Sequence, residues 1–539
     1  MPKPAIFWGS VLLITCLGIF VFPGHSYLSA DTQIYVPMME RIYNPVLFFS
    51  DPMVTRPHLA LTAYDEIAIA LRNYAGLDFE HGLKLQQLIF RACAAAGLLL
   101  IALRLGLSPP AAFFVAAVVT LNATTLGIGI TEPEPIARSF AFGLLLLALG
   151  LAASGAELAA GMAVALGFLI HPPTIAPFWC VAAFVVLRRA ARPILLAPLL
   201  PAIGVLLVLM HFQAGGTEKI DLFRSLDPFQ LALQRHYMEF SFISEWEAKR
   251  VLDLLAECVV VGAAFWKLGN RLKPPVRDWF WGFAALAAIT VPFSWVVLDQ
   301  LHWAAAGPVD PLRVLVYLGL LAAFLPAVCG LYAGQAGRWW EAAIWFAIAL
   351  ALPVKDYLAT WYVNVWLVVA TGALIAGATL AACFAGRTRN LSLVAAGILP
   401  FIVFSAPSLV PPQKNPDTLE LRQLAEWAKT TTDETTVFLF ADDGQYGGSG
   451  PFRARALRSI YVDYEGRALV NYYARYSIEW MARWRDVRQG HWVVTADDFP
   501  DLAQRGINYV VLRSEHAIAG KKPEFSNSRY VVYRVLTGF

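Results

Sequence analysis

Four short stretches of this chain hold residues that could do chemistry. The first reads Ser29-Ala30-Asp31-Thr32-Gln33-Ile34-Tyr35, followed by Pro37, Arg41, Asn44-Pro45 and Asp51-Pro52. It comes soon after the apolar run Ala5–Phe22, so Asp31 is expected near a membrane surface. A carboxylate held at such an interface beside aromatics can act as a base. The plain alternative is a solvated loop acid or a helix cap, which Ser29-Ala30-Asp31 would suit. The second stretch holds Thr131, Glu132, Pro133, Glu134, Pro135 and Arg138. Two carboxylates and a guanidinium at the mouth of an apolar bundle are costly to leave unpaired. Arg138 is then either a functional cation, a partner of Glu134, or a snorkelling anchor.

The third stretch is Ile170-His171-Pro172-Pro173, where a lone histidine ends an apolar segment. It is either a hydrogen-bonded interfacial residue or a ligand. The fourth group is scattered: Arg56, Arg313 and Lys355 fall on the same side in the span count below. Cations there could hold an anionic headgroup such as a diphosphate, or simply anchor lipid phosphates. Metal binding is weakly signalled. Asp31, Glu132, Glu134 and His171 could converge on a divalent cation, but spacing cannot assemble loops so distant. The run Asp442-Asp443-Gly444-Gln445-Tyr446-Gly447-Gly448 lacks a Walker lysine and reads as a turn. The six cysteines, Cys16, Cys93, Cys180, Cys258, Cys329 and Cys383, all lie in apolar segments and read as small hydrophobes.

These residues must be positioned by membrane helices. Of 539 residues, 58% are hydrophobic and 15% charged, and the mean hydropathy is +0.56. A soluble domain carries roughly 25% charged residues, so lipid must solvate most of this chain. The net charge of +3 gives no reason to expect a nucleic-acid partner. Apolar segments predict thirteen spans, near 5–22, 87–104, 110–128, 136–152, 157–170, 173–187, 194–211, 251–267, 279–298, 312–331, 340–354, 361–384 and 391–408. The first, preceded by Lys3, reads as a retained helix, because Leu28-Ser29-Ala30 is a poor cleavage site.

With the N-terminus cytoplasmic, the inside loops carry Arg104, Arg188, Arg189, Arg192, Lys267, Arg271, Lys273, Arg277, Arg338, Arg387 and Arg389. The outside loops carry Asp31, Asp51, Glu132, Glu134, Asp299, Asp310 and Asp356. That is the positive-inside pattern, and it predicts an odd number of spans with the C-terminal domain outside. Two outer loops, 23–86 and 212–250, mix aromatics and charges, as in Phe229–Ala232 and Phe240–Trp246, and suggest surface-lying amphipathic helices.

Composition changes at Pro411-Pro412: residues 411–539 hold 33 charged residues and residues 1–410 hold 48. The tail therefore reads as a soluble domain over 411–539, and 1–410 as the helical membrane domain. A helix is expected over Asp417–Lys429 and another over Ala468–Val487. Strands are expected over Thr436–Phe440, Ile460–Val462, Tyr509–Leu512 and Tyr530–Val535, which makes an α/β unit.

The whole chain resembles the GT-C class of multi-spanning membrane glycosyltransferases, in particular a bacterial subgroup with a C-terminal soluble α/β domain. The resemblance rests on a first helix followed by a long loop opening with Asp31 and Tyr35, then Pro37, Asn44-Pro45-Val46-Leu47-Phe48 and Asp51. It rests also on Arg138-Ser139-Phe140-Ala141, on His171-Pro172, and in the tail on Leu424–Lys429, Thr436–Phe440, Arg458–Val462 and Glu479-Trp480 with Arg483. It implies an α-helical polytopic membrane protein in the bacterial inner (plasma) membrane, with the tail periplasmic or extracellular. It further implies a polyprenyl-phosphate-linked sugar as donor, a glycan, lipid or protein as acceptor, and Asp31 as the base. Many members carry a second acidic residue directly after that aspartate; here it is Thr32, which leaves metal use open. Arg56, Arg138, Arg313 or Lys355 would then stabilise the departing phosphate, and Trp427, Tyr446, Trp480 and Trp484 are either stacking surfaces or domain core. Rival readings are a transporter or flippase of lipid-linked sugars, and a membrane-anchored scaffold without catalysis.

Overall fold

The computed structural model describes residues 2–535 apart from 57–61, 122–128, 213–222, 353–354, 356–363, 385, 412–414 and 446. Asp356, Tyr446 and the end of the predicted segment 110–128 lie outside the described residues. Every one of the thirteen predicted segments carries a helix. The first eight helices of the chain are α1 (Pro4–Phe20), α2 (Thr32–Tyr43), α3 (Tyr64–Ala75), α4 (Phe79–Arg104), α5 (Pro109–Thr120), α6 (Ala137–Ala153), α7 (Glu157–Ile170) and α8 (Pro172–Leu187). Among the described residues five helices are long and apolar enough to cross a membrane: Phe79–Arg104, Pro274–Gln300, Ala306–Gln335, Val365–Cys383 and Gly386–Phe404. Seven shorter apolar helices accompany them.

The lipid requirement shows directly at the surface. Trp8, Leu12, Phe20, Leu207, Leu252, Val259, Trp266 and Trp366 are all exposed. A water-facing protein does not present so much contiguous apolar surface. By contrast the helix Leu315–Gln335 is buried along almost its whole length and forms the axis of the bundle.

Two helices set the geometry of the site, and glycine lets them meet. A Cβ on Gly97 would lie 2.0 Å from the Leu146 carbonyl oxygen, and one on Gly143 would lie 2.3 Å from that of Phe90. Helices α4 and α6 therefore touch backbone to backbone, as small residues allow in membrane bundles. From α4, Arg91 reaches the ends of its neighbours. Its Nη1 donates to the Gly18 carbonyl at 2.5 Å, and its Nη2 donates to the carbonyls of Gly24, at 2.9 Å, and of Glu132. Gln87, one turn earlier, donates to the Pro133 carbonyl at 2.8 Å. The end of α1 and the loop before α6 are thus tied to one helix.

Loop 23–86 holds α2, α3 and the start of α4, and loop 212–250 holds a short helix, Pro228–Tyr237. In the tail, strands β1 (Val437–Phe440), β2 (Ser459–Ile460), β3 (Tyr509–Arg513), β4 (Phe525–Ser526) and β5 (Tyr530–Arg534) form one sheet in the order β2-β1-β3-β5-β4. β1 runs parallel to β2 and β3, while β5 is antiparallel to β3 and β4. Alternation along β1 sends Phe438 and Phe440 to a core with the helices Leu419–Thr431 and Ser449–Ala456. Val437 and Leu439 face the other way, into a core shared with Met38, Leu47, Phe48 and Val54 of the first loop. The sheet is therefore built onto that loop.

A buried ion triad fixes the join. Arg453 Nε donates to Asp51 Oδ2 at 2.7 Å, and its Nη1 lies 2.9 Å from Asp463 Oδ2, with no side chain of the three more than 3% exposed. One expected element differs. Ala468–Val487 is not one helix: a 3-10 segment runs Tyr464–Asn471, the chain becomes extended at Tyr473, and a helix covers Ala474–Asp486. The side chains of Gln230 and Gln234 hold the Val470 carbonyl and so compete with helix continuation there. β4, at only two residues, has no sequence signal long enough to read.

Candidate active site

Glu134 organises the centre. Its carboxylate accepts from the backbone N–H groups of Ser29 at 3.1 Å, Ala30 at 2.9 Å, Asp31 at 2.8 Å and Thr32 at 3.3 Å, and from the Thr32 hydroxyl. A buried acid thus satisfies the open N–H groups at the start of α2, where the helix dipole also favours it. Burial pushes its carboxyl above the usual range, and the Asp31 charge adds to that. Asp31 is the N-cap residue of α2, so this grip fixes its backbone.

Arg138, in the first turn of α6, bridges the remaining acids. Its Nη1 donates to Asp31 Oδ2 at 2.7 Å, its Nε to Glu132 Oε1 at 2.8 Å and its Nη2 to Glu132 Oε2 at 3.0 Å. The pairing with Glu132 is the bidentate fork that only arginine makes. The Asp31 side chain is 29% exposed and that of Arg138 28%, against 10% for Glu132. Asp31 and Arg138 are the reachable pair, and the other two acids lie behind them.

A second cluster is built around Arg313. Arg313 Nε lies 3.1 Å from Asp310 Oδ2, and its Nη1 lies 3.4 Å from His171 Nε2. His171 Nδ1 accepts from the Thr174 N–H at 3.3 Å, so the ring also caps α8. Asp310 is buried and takes the Ser241 hydroxyl. Tyr35 and Tyr472 stand in the field of both clusters. Burial raises the Tyr35 phenol, with Asp31 adding to the shift and Arg138 and Arg313 opposing it. Burial raises the Tyr472 phenol too, with Arg313 opposing and Asp31 and Asp310 adding.

Six of the eight residues singled out from sequence therefore meet at one end of the bundle: Asp31, Glu132, Glu134, Arg138, His171 and Arg313. Two are engaged elsewhere. Arg56 Nη2 donates to Glu479 Oε2 at 2.8 Å and lies over the Tyr476 ring, which ties the first loop to the tail. Lys355 lies 3.7 Å from Asp253, on the helix Ala248–Leu268. Of the aromatics, Trp480 and Trp484 are buried core, and Trp427 packs on Tyr509 and Phe525. Sequence reasoning missed Tyr472, which lies in a region read as mid-helix, and missed the pairing of Asp310 with Arg313.

Residues do not fit a divalent cation as arranged. Glu134 is saturated by backbone N–H groups and Glu132 by Arg138. Among the described residues no three His, Cys, Asp or Glu side chains are grouped to hold one.

No family model matches the chain, and no curated protein does. Solved structures do resemble it. ArnT from Cupriavidus metallidurans in the apo state is 15% identical over 99% of this chain and 98% of that one, with a TM-score of 0.49. ArnT from the same organism bound to undecaprenyl phosphate is 12% identical over 99% and 97%, with a TM-score of 0.44. The arabinofuranosyltransferase AftD from Mycobacteria is 14% identical over 98% of this chain but 39% of its own length, with a TM-score of 0.46. The chain is similar to these structures over nearly its own full length, at low identity.

Proposed function

We propose that this protein is a membrane glycosyltransferase that moves a sugar from a polyprenyl-phosphate-linked donor to an acceptor at the outer face of the membrane. The observation that carries the reading is the open Asp31–Arg138 pair, grouped with the Arg313–His171 pair around Tyr35 and Tyr472 at one end of an apolar bundle. Glycosyl transfer needs a nucleophile made ready and a leaving phosphate whose charge is stabilised. Asp31 takes the proton of the acceptor hydroxyl. The acceptor oxygen forms a bond to the anomeric carbon as the bond from that carbon to the phosphate oxygen breaks. Polyprenyl phosphate leaves with the electron pair, and Arg313 and Arg138 stabilise the new charge.

The charge arrangement supports this division of labour. Glu132 takes two of the Arg138 N–H groups, which orients the third toward Asp31. The apolar helix faces give a polyprenyl tail its solvent while its headgroup stays at the charged end. Positive-inside patterning supports an outward-facing position for that end. The test is transfer from a panel of radiolabelled polyprenyl-phosphate sugars in membranes, comparing wild type with Asp31→Asn and Arg138→Ala at matched expression. Transfer by the wild type alone supports the reading. Undiminished transfer by Asp31→Asn contradicts the assigned base.

A further inference from the structure

His171 meets N–H groups on both sides of its ring. Its Nδ1 lies 3.3 Å from the Thr174 amide nitrogen, and its Nε2 lies 3.4 Å from Arg313 Nη1. A neutral imidazole has one acceptor nitrogen and one N–H, and an imidazolium has no acceptor at all. The ring therefore accepts at one of these two places only.

The helix decides which. Pro172 and Pro173 have no N–H, so Thr174 offers the first amide proton of α8. That proton needs an acceptor, and the residue ahead of the helix supplies one through Nδ1. The ring proton then sits on Nε2, facing Arg313. The guanidinium is held in turn. Its Nε lies 3.1 Å from Asp310 Oδ2, on a side chain only 6% exposed, which leaves Nη1 for the His171 side. The Tyr317 hydroxyl, one turn beyond Arg313, donates to the Thr174 carbonyl at 2.7 Å. It locks the start of α8 to the helix that follows Arg313.

Two N–H groups thus converge from neighbouring side chains. An oxygen that takes both protons relieves their repulsion, and an anionic oxygen does so best. The Arg313 side chain is 24% exposed, so such an oxygen can reach it. Hydrogen bonds and packing join this place to Arg138. The Leu169 carbonyl, just before His171, accepts from the Ala63 N–H at 2.8 Å. The hydroxyl of the next residue, Tyr64, donates at 2.7 Å to the Pro135 carbonyl, in the turn that leads to Arg138. Ile170 is buried in one core with Ala137 and Phe140 of α6.

We propose that His171, neutral and protonated on Nε2, holds a phosphate oxygen of the polyprenyl-phosphate headgroup jointly with Arg313. This inference rests on the glycosyl-transfer reading and adds an uncharged donor to its phosphate site. The donor is preorganised, because the ring cannot turn without releasing the Thr174 amide. The cap of α8 and the grip on the phosphate are two ends of one imidazole.

The experiment uses the full-length protein in nanodiscs as wild type, His171→Asn and His171→Gln. Binding of bare polyprenyl phosphate and thermal unfolding are measured on the same preparations. An asparagine still accepts from the Thr174 N–H but has no donor where Nε2 stands. His171→Asn is therefore expected to keep the wild-type melting temperature. It should bind bare polyprenyl phosphate about tenfold or more weakly, the size of one hydrogen bond to a charged group. His171→Gln keeps an amide donor near the Nε2 position and loses the cap. It is expected to melt lower than His171→Asn and to bind the lipid more tightly. Imidazole nitrogen NMR should show the wild-type His171 signal, identified by its loss in His171→Asn, as the Nε2–H tautomer. The Nδ1–H tautomer overturns the proposal. So does wild-type affinity in His171→Asn, or a loss of affinity that follows melting temperature across the two variants. Excess phosphatidylglycerol in the nanodisc should leave polyprenyl phosphate bound; displacement would assign the anion to ordinary membrane lipid and overturn the headgroup assignment. A wild type that binds bare polyprenyl phosphate but transfers from no donor overturns the glycosyl-transfer reading and not the phosphate site.

Discussion

Arg138 holds Asp31 with one N–H and both oxygens of Glu132 with two others, at 2.7, 2.8 and 3.0 Å. The guanidinium is therefore oriented by the buried acid and presented to the open one. Replacing it with alanine leaves Glu132 buried without its partner and Asp31 without its clamp. A loss of about a hundredfold or more in transfer is expected, in line with removal of one preorganised charge stabiliser. Arg138→Lys should recover only a small part, because one ammonium cannot bridge two carboxylates in this geometry. Steady-state rates of the two variants at matched expression check this; wild-type activity in Arg138→Lys would show that charge alone suffices.

Glu134 has a structural task that can be separated from its charge. Glu134→Ala leaves the N–H groups of Ser29, Ala30, Asp31 and Thr32 without their acceptor in a buried setting. A destabilisation of about 3 kcal/mol follows from one lost buried acceptor of this kind. Glu134→Gln keeps one carbonyl oxygen and should lose less. Thermal unfolding of the two purified variants ranks them, and equal melting points would refute the grip on α2.

The triad Asp51–Arg453–Asp463 joins the first loop to the tail, with every side chain at 3% exposure or less. Arg453→Met strands two buried carboxylates and should cost about 3–5 kcal/mol. Combining it with Asp51→Asn and Asp463→Asn removes those charges, and most of the loss should return. Thermal unfolding of the single and triple variants decides. A triple variant no better than the single one would mean that shape, not charge, makes the join.

Glu465 gives stability a defined pH dependence. Its carboxyl is raised in the folded protein from about 4.5 to about 7, chiefly by burial. The folded state binds its proton more tightly than the unfolded chain does. Its contribution is therefore full below about pH 4.5 and is lost as pH rises toward 7. Glu465→Gln should flatten this part of the melting-temperature profile and gain on the wild type at alkaline pH. Parallel profiles for the two proteins would contradict the placement of Glu465 among Asp463, Asp31 and Glu134.

Much of this arrangement was legible in the sequence, for specific reasons. The thirteen apolar segments stand out because lipid demands long runs without charge, so Asp31, Glu132, Glu134 and Arg138 stood out against a silent background. What the sequence did not separate was the role of each acid. Glu132 and Glu134 are two residues apart, yet one orients Arg138 and the other grips α2, and only the fold tells them apart. Arg56 and Lys355 looked like site cations because charge alone was visible; their partners, Glu479 and Asp253, are distant in sequence. Tyr472 was unreadable for the opposite reason. It sits in an ordinary charged domain, and two glutamines hold the turn that brings it into the field of Arg313 and Asp31.

The central claim is that Asp31 takes a proton in glycosyl transfer. The most direct measurement is single-turnover transfer from the radiolabelled polyprenyl-phosphate sugar that the wild type uses, comparing wild type with Asp31→Asn in nanodiscs. Binding of the donor is followed in the same preparations. The account predicts that Asp31→Asn still binds donor but transfers at least about a hundredfold more slowly, as expected for loss of a general base. Transfer by Asp31→Asn at the wild-type rate would contradict it and move the search for the base to His171 and the Asp310–Arg313 pair.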